Sequence, residues 1–269
     1  MRNKGKSRTL SVDRIQEGKK EKIEDEIVEE KALSIYLNDQ KITTLFSTPA
    51  DQKFLALGFL FTEGFLKEKK EVKKIVLDQK KSQVTVLTWT KKKISSALRK
   101  NEILTSGCGR GKTFQDLEKI NPVEDLMFDF NLVWDSSNIS KLIQEFEKRS
   151  SLFHKTGGIH SAALATKDKI ALFNEDVGRH NAVDKILGES LWKRIPLKDK
   201  VLVLSGRISS DIVVKGWRSG IFIIISRTAP TTLAIELAQK LGITLVGFAR
   251  GSRMNVYTCP VRINPAKTN

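Results

Sequence analysis

The pattern of hydrophobic and polar residues predicts paired strands in the first half of the chain. The strings ALSIYLND and KITTLFST alternate around Asn38-Asp39, which predicts a β-hairpin. Residues 51–66, DQKFLALGFLFTEGFL, carry apolar side chains at helical spacing and predict a buried helix. Residues 67–93 contain the alternating string VTVLTW between lysines. This segment predicts a second, exposed hairpin, whose lysines discourage edge pairing.

In the second half, short apolar strands alternate with helices. Helices are predicted at 137–149, 181–192, 210–219 and 231–241, and strands at 161–166, 169–173, 201–205, 221–226 and 244–248. Successive buried strands joined by helices favour an α/β fold with a layered sheet. The longest apolar stretch, around 221–225, is far too short to span a bilayer, so no membrane association is expected.

Composition adds a strong positive charge to this picture. The 269 residues include 47 Lys and Arg against 31 Asp and Glu, a net charge of +16 with a pI near 9.8. A polyanion is the first partner that such a charge suggests. Nucleic acid is the weakest candidate, because the lysines are scattered and few aromatic residues accompany them. Residues 1–20 are basic and poor in large apolar side chains, which predicts a disordered tail.

The two cysteines have different surroundings. Cys108 lies in the glycine-rich string LTSGCGRGK, where Arg110 and Lys112 would favour its thiolate, so we interpret it as a reactive nucleophile. The alternative is a small hydrophobic residue in a mobile loop, but the polar neighbours argue against burial. Cys259 has apolar neighbours and is interpreted as structural. Two cysteines make no disulfide framework, and with no secretory signal in the N-terminal residues a cytoplasmic protein is expected.

The histidines do not predict a metal site. His154, His160 and His180 are too few and too irregularly spaced with cysteine for zinc, and the zinc deaminase strings His-x-Glu and Pro-Cys-x-x-Cys do not occur. We therefore expect no catalytic zinc.

Polar residues cluster before the predicted helix at 181–192. His160 follows two glycines, and the string EDVGRHN contains Asp176, Arg179, His180 and Asn181. One interpretation is a ligand site. The other, equally supported, is a helix-capping network in which Asp176 and Asn181 satisfy helix amides and Arg179 pairs with a carboxylate.

Two further segments follow predicted buried strands. They are Ser205-Gly206-Arg207 and Phe248-Ala249-Arg250-Gly251-Ser252-Arg253. In an open α/β sheet, turns at the carboxyl ends of strands bind ligands, and helix N-termini favour phosphate. Arginines on phosphate and a phenylalanine against a base would suit a nucleotide, although a plain basic loop would look the same. Neither the Walker string nor Gly-x-Gly-x-x-Gly is present.

Taken together, several strings resemble the formate dehydrogenase accessory sulfurtransferase family (FdhD). The resemblance covers nearly all of the chain from about residue 45 onward, in long, ordered motifs. They are TPADQKFLALGFLFTEGFL, TGGIHSAALA, NEDVGRHNAVDKILG, LSGRISSDIVVKG and TAPTTLAIELAQKLGITLVGFARGSRMNVYT.

The resemblance implies a fold and an activity. The fold would be similar to that of cytidine deaminases, with a β-rich subdomain over residues 21–120 that carries the cysteine loop and an α/β subdomain over 121–269. The activity would be sulfur transfer: a persulfide accepted from a cysteine desulfurase on Cys108 and passed to the bis(molybdopterin guanine dinucleotide) molybdenum cofactor of formate dehydrogenase. Residues 248–253 would bind that cofactor, a guanine nucleotide such as GDP would also bind, and the protein would be a homodimer.

One position departs from the family pattern. Members commonly carry Cys-Gly-x-Cys-Gly in the loop, whereas Gly111 stands where the second cysteine is expected. A disulfide within the loop is then impossible, and transfer would proceed directly from Cys108. The same departure motivates an alternative function, a non-catalytic protein that holds the cofactor or a guanine nucleotide while another protein supplies sulfur.

Overall fold

The computed structural model describes residues 5–90, 103–104 and 132–266. The predicted reactive loop, with Cys108, Arg110, Gly111 and Lys112, lies outside these residues. So does the predicted subdomain boundary between residues 120 and 121, which stays a prediction.

The described elements run from a strand-rich N-terminal part to a C-terminal part of alternating strands and helices. The first contains β1 (Ser7–Gln16), β2 (Lys19–Val28), β3 (Lys31–Leu37), β4 (Gln40–Ser47), α1 (Gln52–Thr62), a 3-10 helix (Lys69–Glu71), β5 (Val72–Asp78), β6 (Gln83–Thr88) and β7 (Ile103–Leu104). The second contains β8 (Trp134–Asp135), α2 (Ser136–Arg149), α3 (Ser151–Thr156), β9 (His160–Ala165), β10 (Ile170–Asp176), α4 (Arg179–Lys193), β11 (Val201–Leu204), α5 (Ser210–Arg218), β12 (Ile223–Ser226), α6 (Thr232–Lys240), β13 (Thr244–Arg250), β14 (Arg253–Val256), a 3-10 helix (Pro260–Arg262) and β15 (Ile263–Asn264). None of the helices in the described ranges is long and apolar enough to cross a bilayer.

The first two strands pair with each other as an antiparallel hairpin. The prediction of a disordered tail over residues 1–20 is therefore wrong for the part from residue 7 onward. Glu17 and Gly18, with φ of 51° and 74°, form the two-residue turn that a right-twisted hairpin favours. Charges are matched across the strands, as where Lys20 lies 2.8 Å from Asp13. Part of the charge run that suggested a solvated tail is thus paired across the hairpin, since Arg14 also lies 4.0 Å from Glu21.

A five-stranded sheet in the order β5-β6-β3-β4-β7 follows the N-terminal hairpin. Both predicted hairpins are confirmed, since β3 pairs with β4 around Asn38-Asp39 and β5 pairs with β6. The helix predicted at 51–66 is also confirmed, with shorter bounds. Alternate residues of β3, namely Leu33, Ile35 and Leu37, are buried in one cluster with the apolar side chains of α1.

A six-stranded sheet in the order β10-β9-β11-β12-β13-β14 forms the centre of the C-terminal part. β11, β12 and β13 are parallel, and the other pairings are antiparallel. Ala162 and Leu164 of β9 face a core shared with α4, α5 and α6, whereas Ala163 and Ala165 face a core shared with α2. The predicted α/β class with a mixed, layered sheet is confirmed. The likeness to cytidine deaminases stays a prediction.

Helices α1 and α4 join the two parts through an unusually close contact. A Cβ atom built on Gly58 would lie 1.8 Å from the carbonyl oxygen of Asp184, and one on Gly188 would lie 2.0 Å from the carbonyl oxygen of Phe54. Two backbones can approach this closely only where side chains are absent. The glycines therefore set the distance between the helix of the five-stranded sheet and that of the six-stranded sheet.

Replacing Gly58 with alanine tests this contact. We expect the free energy of unfolding to fall by about 3 kcal/mol, because the added methyl group must push the helices apart and this outweighs the better helix propensity of alanine. Urea denaturation followed by circular dichroism measures the change. Lys53→Ala, on the exposed side of the same helix, is the control and should leave stability within about 0.5 kcal/mol. A Gly58→Ala variant as stable as this control would contradict the close-contact argument.

Candidate functional site

Three segments of the six-stranded sheet meet at one edge, namely the edge at which β10 and β11 end and β9 begins. β10 ends at Asp176 and β11 ends just before Ser205. β9 runs antiparallel to both, so that its first residue, His160, lies at their carboxyl ends, paired with Asp176. The backbone amide of Ser205 donates to the carbonyl oxygen of Ser161 at 3.0 Å. The structure thus brings together the segments that were predicted separately as candidate sites.

His160 packs against the turn that follows β11. Its Nδ1 lies 3.4 Å from the hydroxyl of Ser205, which also accepts a hydrogen bond from the Ser161 amide at 2.9 Å. A Cβ atom on Gly206 would lie 3.1 Å from His160 Nδ1, so a side chain there would press on the ring. Burial, with the nearby charge of Arg179, lowers the pKa of His160 and outweighs the opposing effect of Asp176. The ring is therefore neutral at pH 7 and contributes no charge to the site.

Two arginines supply the positive charge of this edge. Arg179 is the first residue of α4, and Arg207 lies in the turn before α5. Burial and then the charge of Arg207 lower the pKa of Arg179, while Asp211 raises it. Within the described residues neither arginine forms an ion pair, and the buried Nε of Arg179 has no hydrogen-bond partner. The predicted pairing of Arg179 with a carboxylate is thus not found among those residues.

Unpaired arginines beside helix N-termini favour an anion. The N-termini of α4 and α5 present backbone amides and the positive ends of their dipoles at the same edge. Charge-assisted hydrogen bonds from guanidinium groups to phosphate are among the strongest in proteins. An anionic, phosphate-bearing group therefore fits this edge chemically.

Asp176 has a structural role. Its carboxylate is fully buried and lies 2.6 Å from the ammonium group of Lys185, which is also fully buried. It accepts hydrogen bonds from the backbone amides of Gly178 at 2.9 Å and Thr48 at 3.2 Å, and from the side-chain amide of Asn181 at 2.9 Å. The capping interpretation therefore holds in part for Asp176, which accepts a hydrogen bond from the amide of Gly178 just before α4. It is wrong for Asn181, whose side-chain amide donates to Asp176 and to the carbonyl oxygen of Phe46 and satisfies no helix amide. The network nevertheless fixes the start of α4, where Arg179 lies.

His180 is turned towards the interior behind this edge. Its Nε2 lies 3.1 Å from the hydroxyl of Ser209 and 3.9 Å from a carboxylate oxygen of Asp211. Burial, followed by the charges of Lys215 and Arg179, lowers its pKa to about 3. His180 is thus a neutral hydrogen-bonding group that connects α4 with the start of α5.

A second buried cation supports the same helices and was not predicted. Lys215 of α5 lies 2.7 Å from Asp184 of α4 and donates to the hydroxyl of Thr62 in α1, also at 2.7 Å. Burial raises the pKa of Asp184, and Lys215 opposes that shift. A lysine between Val214 and Gly216 on an otherwise buried helix is the one sequence signal that could have indicated this pair.

The stretch from Phe248 to Arg253 forms a β-hairpin. It was predicted as a turn after a strand ending at Phe248, but β13 continues to Arg250 and β14 starts at Arg253. Gly251, with φ of 55°, allows the tight turn between them. The predicted end of the strand at Phe248 is therefore wrong, and a further antiparallel strand that was not predicted follows β13.

This hairpin is nevertheless fixed at the same sheet edge. The Phe248 amide donates to the carbonyl oxygen of Thr228 at 3.1 Å, and Nε of Arg250 donates to the carbonyl oxygen of Arg227 at 3.0 Å. The hydroxyl of Ser226, at the end of β12, donates to the carbonyl oxygen of Gly206 at 2.7 Å. The side chains at the tip are solvent-exposed, namely Arg250, Ser252 and Arg253. They extend the positive edge beyond the ends of β11 and β12.

The described part of the chain contains no group of three or more His, Cys, Asp and Glu side chains arranged to hold a metal ion. Cys259 is buried, and burial raises the pKa of its thiol. Its interpretation as a structural cysteine fits these surroundings.

Comparison with known proteins gives a consistent result. The model of the FdhD/NarQ family matches residues 28–264. The sulfur carrier protein FdhD of Bacillus pumilus is 37% identical over 239 residues, covering 89% of this chain and 90% of that protein. The protein of the same name from Wolinella succinogenes is 38% identical over 244 residues, covering 90% and 83%. The resemblance inferred from the sequence motifs is confirmed.

A solved structure is similar over almost the full length. It is the crystal structure of a protein from Desulfotalea psychrophila described as a formate dehydrogenase accessory protein. The TM-score is 0.78 at 29% sequence identity, covering 96% of this chain and 99% of that chain.

Replacing Lys185 with methionine tests the structural role of the Asp176 network. The substitution leaves a buried carboxylate without its counter-ion, so we expect the free energy of unfolding to fall by about 3–5 kcal/mol. The double variant Asp176→Asn, Lys185→Met should recover part of this loss, because it removes both charges. Urea denaturation measures all three proteins.

The control for this substitution is Lys240→Met, at the end of α6. Lys240 is exposed, so its replacement should change stability by less than about 0.5 kcal/mol. Equal stability of the Lys185→Met and Lys240→Met variants would disprove the assigned role of the buried pair.

Proposed function

Because the chain belongs to the FdhD/NarQ family, we propose that it is a sulfur carrier that supports the activity of a formate dehydrogenase. The observation that carries this proposal is the extended similarity to relatives named sulfur carrier protein FdhD, at 35–38% identity over about nine-tenths of the chain. The similarity to a protein described as a formate dehydrogenase accessory protein supports the same role.

Cys108 is the proposed carrier of the sulfur. Its thiolate attacks the outer sulfur of a persulfide on a cysteine desulfurase, the sulfur–sulfur bond of the donor breaks, and the donor thiolate leaves. The products are a persulfide on Cys108 and a free thiol on the donor, so no external oxidant or reductant is needed. Arg110 and Lys112 would favour the attacking thiolate, and the flanking glycines give access to two partners.

The proposed recipient of the sulfur is the bis(molybdopterin guanine dinucleotide) molybdenum cofactor. The molybdenum centre supplies the site that the sulfur finally occupies. The residues that would hold the phosphates of the cofactor are those of the positive edge, led by Arg179, Arg207, Arg250 and Arg253. Phe248 would lie against a guanine base, and GDP would occupy part of the same surface. We further propose that the protein is a homodimer.

A second candidate function rests on Gly111. Because the expected second cysteine of the loop is missing, the protein could act only as a holder of the cofactor or of a guanine nucleotide. Arg179 and Arg207, which form no ion pair within the described residues, support binding under either candidate. The two functions therefore differ in whether Cys108 reacts.

Mass spectrometry of the intact protein distinguishes these functions. After incubation with a cysteine desulfurase and cysteine, we expect a mass increase of one or more sulfur atoms that is absent in Cys108→Ala. Cys259→Ala is the matched control and should keep the adduct, because the Cys259 thiol is buried. An adduct that persists in Cys108→Ala would refute transfer through Cys108. A Cys108→Ala protein that still restores formate dehydrogenase activity in cells would instead favour the binding-only function.

Equilibrium binding of GDP tests the positive edge. We expect Arg207→Gln and Arg253→Gln each to weaken binding about tenfold, because each removes a charge-assisted hydrogen bond to phosphate. Both side chains are exposed, so the fold should be retained. Arg14→Gln, in the N-terminal hairpin, is the control with the same loss of charge. If all three variants bound GDP equally well, the phosphate site would have to lie elsewhere.

A further inference from the structure

A cavity of about 560 Å³ lies along the edge strand of the six-stranded sheet. Residues 171–175 of β10 form one wall, and half of the backbone groups of an edge strand point away from its neighbour. The opposite walls include Lys6, Asp51, Arg149 and Lys193. The volume lies within the range of about 300–1,000 Å³ that is typical of small-molecule sites.

Lys6 is an unusual residue to find in such a wall. Only 8% of it is exposed, and within residues 5–90, 103–104 and 132–266 its ammonium group forms neither a hydrogen bond nor an ion pair. Its backbone is held in place, because its carbonyl oxygen accepts a hydrogen bond of 2.7 Å from the amide of Glu29. A lysine so deeply buried is normally paired, since an uncompensated buried charge is costly.

Glu175 lies in the β10 wall, facing the wall that contains Lys6, and carries the opposite charge. It is 6% exposed, and its Oε1 atom has no hydrogen-bond partner among the described residues. Burial raises its pKa, while the charge of Lys6 and the backbone amides of Phe153 and Leu152 lower it. The charge of Lys6 therefore acts on the carboxyl group of Glu175, but the two groups lie too far apart to form an ion pair.

Of the other charged groups of the cavity, Asp51 is solvent-exposed and the remaining three have partners. Arg149 lies 2.6 Å from Glu145, and Lys193 lies 2.5 Å from Glu189. The two buried charged groups of the cavity that lack an ion pair among the described residues are thus Lys6 and Glu175, with space between them. A simple anion would leave Glu175 without a partner, and a simple cation would leave Lys6 without one.

We propose that this cavity binds a small zwitterion of the α-amino acid class, with its carboxylate on Lys6 and its ammonium group on Glu175. The family model begins at residue 28, so Lys6 precedes the residues that match it. The site therefore combines a residue of the family motif NEDVGRH with one contributed by the N-terminal hairpin segment. It goes beyond sulfur carrying, and Cys108 has no part in it.

Isothermal titration calorimetry with L-alanine, L-glutamine and L-leucine tests this proposal on the full chain. We expect saturable binding of at least one of them. The N-acetyl derivative of the best ligand, which lacks the ammonium group, and its methyl ester, which lacks the carboxylate, should each bind at least tenfold more weakly. No binding of any of the three amino acids, or equal binding of either blocked form, would overturn the proposal.

Two variants assign the ends of the ligand. Lys6→Met and Glu175→Gln should each weaken binding at least tenfold, because each removes a charge-assisted hydrogen bond. Lys19→Met, an exposed lysine of the same hairpin, is the control and should bind as the unmodified protein does. Thermal unfolding checks that the variants are folded, and Lys6→Met should be at least as stable as the parent because it removes an unpaired buried charge.

The test is independent of sulfur transfer. Cys108→Ala should bind the amino acid with unchanged affinity, and Lys6→Met should still acquire sulfur on Cys108. Normal amino acid binding by Lys6→Met would overturn the zwitterion site and leave the sulfur carrier proposal untouched. The presence or absence of the sulfur adduct in Cys108→Ala, in contrast, tests only the sulfur carrier proposal.

Discussion

The buried ion pair of Asp176 and Lys185 is the interaction on which the candidate site depends. Two charges removed from water are tolerated only when the pair is close and the remaining hydrogen-bonding positions are filled. Here they are filled by the backbone of Thr48, at the end of β4, and by Gly178 and Asn181, at the start of α4. The first turn of α4, and with it Arg179, is consequently tied to Thr48, the residue that follows β4 of the five-stranded sheet.

The charged side chains in the interior differ from those at the sheet edge in whether they have a partner of opposite charge. In the interior, two buried lysines have a close acidic partner: Lys215 has Asp184 and Lys185 has Asp176. At the carboxyl edge of the six-stranded sheet, Arg179 and Arg207 have no such partner among the described residues. The net charge of +16 is therefore a poor guide to binding by itself, and the informative charges are the few that the fold leaves unbalanced.

Periodicity located most elements because their stability comes from burying one face, which the sequence displays directly. It failed for the N-terminal hairpin, where opposite charges pair across strands and composition shows only a charged segment. It also missed β14, because Arg253–Val256 alternates polar and apolar residues over only 4 positions, too few to distinguish a strand from a loop. The predicted site residues did converge, but the contact of Thr48 with Asp176 joins positions 128 residues apart, and no local pattern encodes such a contact.

The glycine contact between α1 and α4 has a consequence for synthesis of the chain. Gly58 lies in the first quarter of the sequence and meets Asp184 and Gly188, which leave the ribosome much later. Until then α1 lacks the helix that covers its glycine face, and Thr48 lacks its buried partner. Contacts of such high sequence separation slow folding, because a long loop must close before they form. The N-terminal sheet and α1 therefore complete their packing only after the C-terminal half has been synthesised. Until then the nascent chain exposes a helix face to which a chaperone could bind.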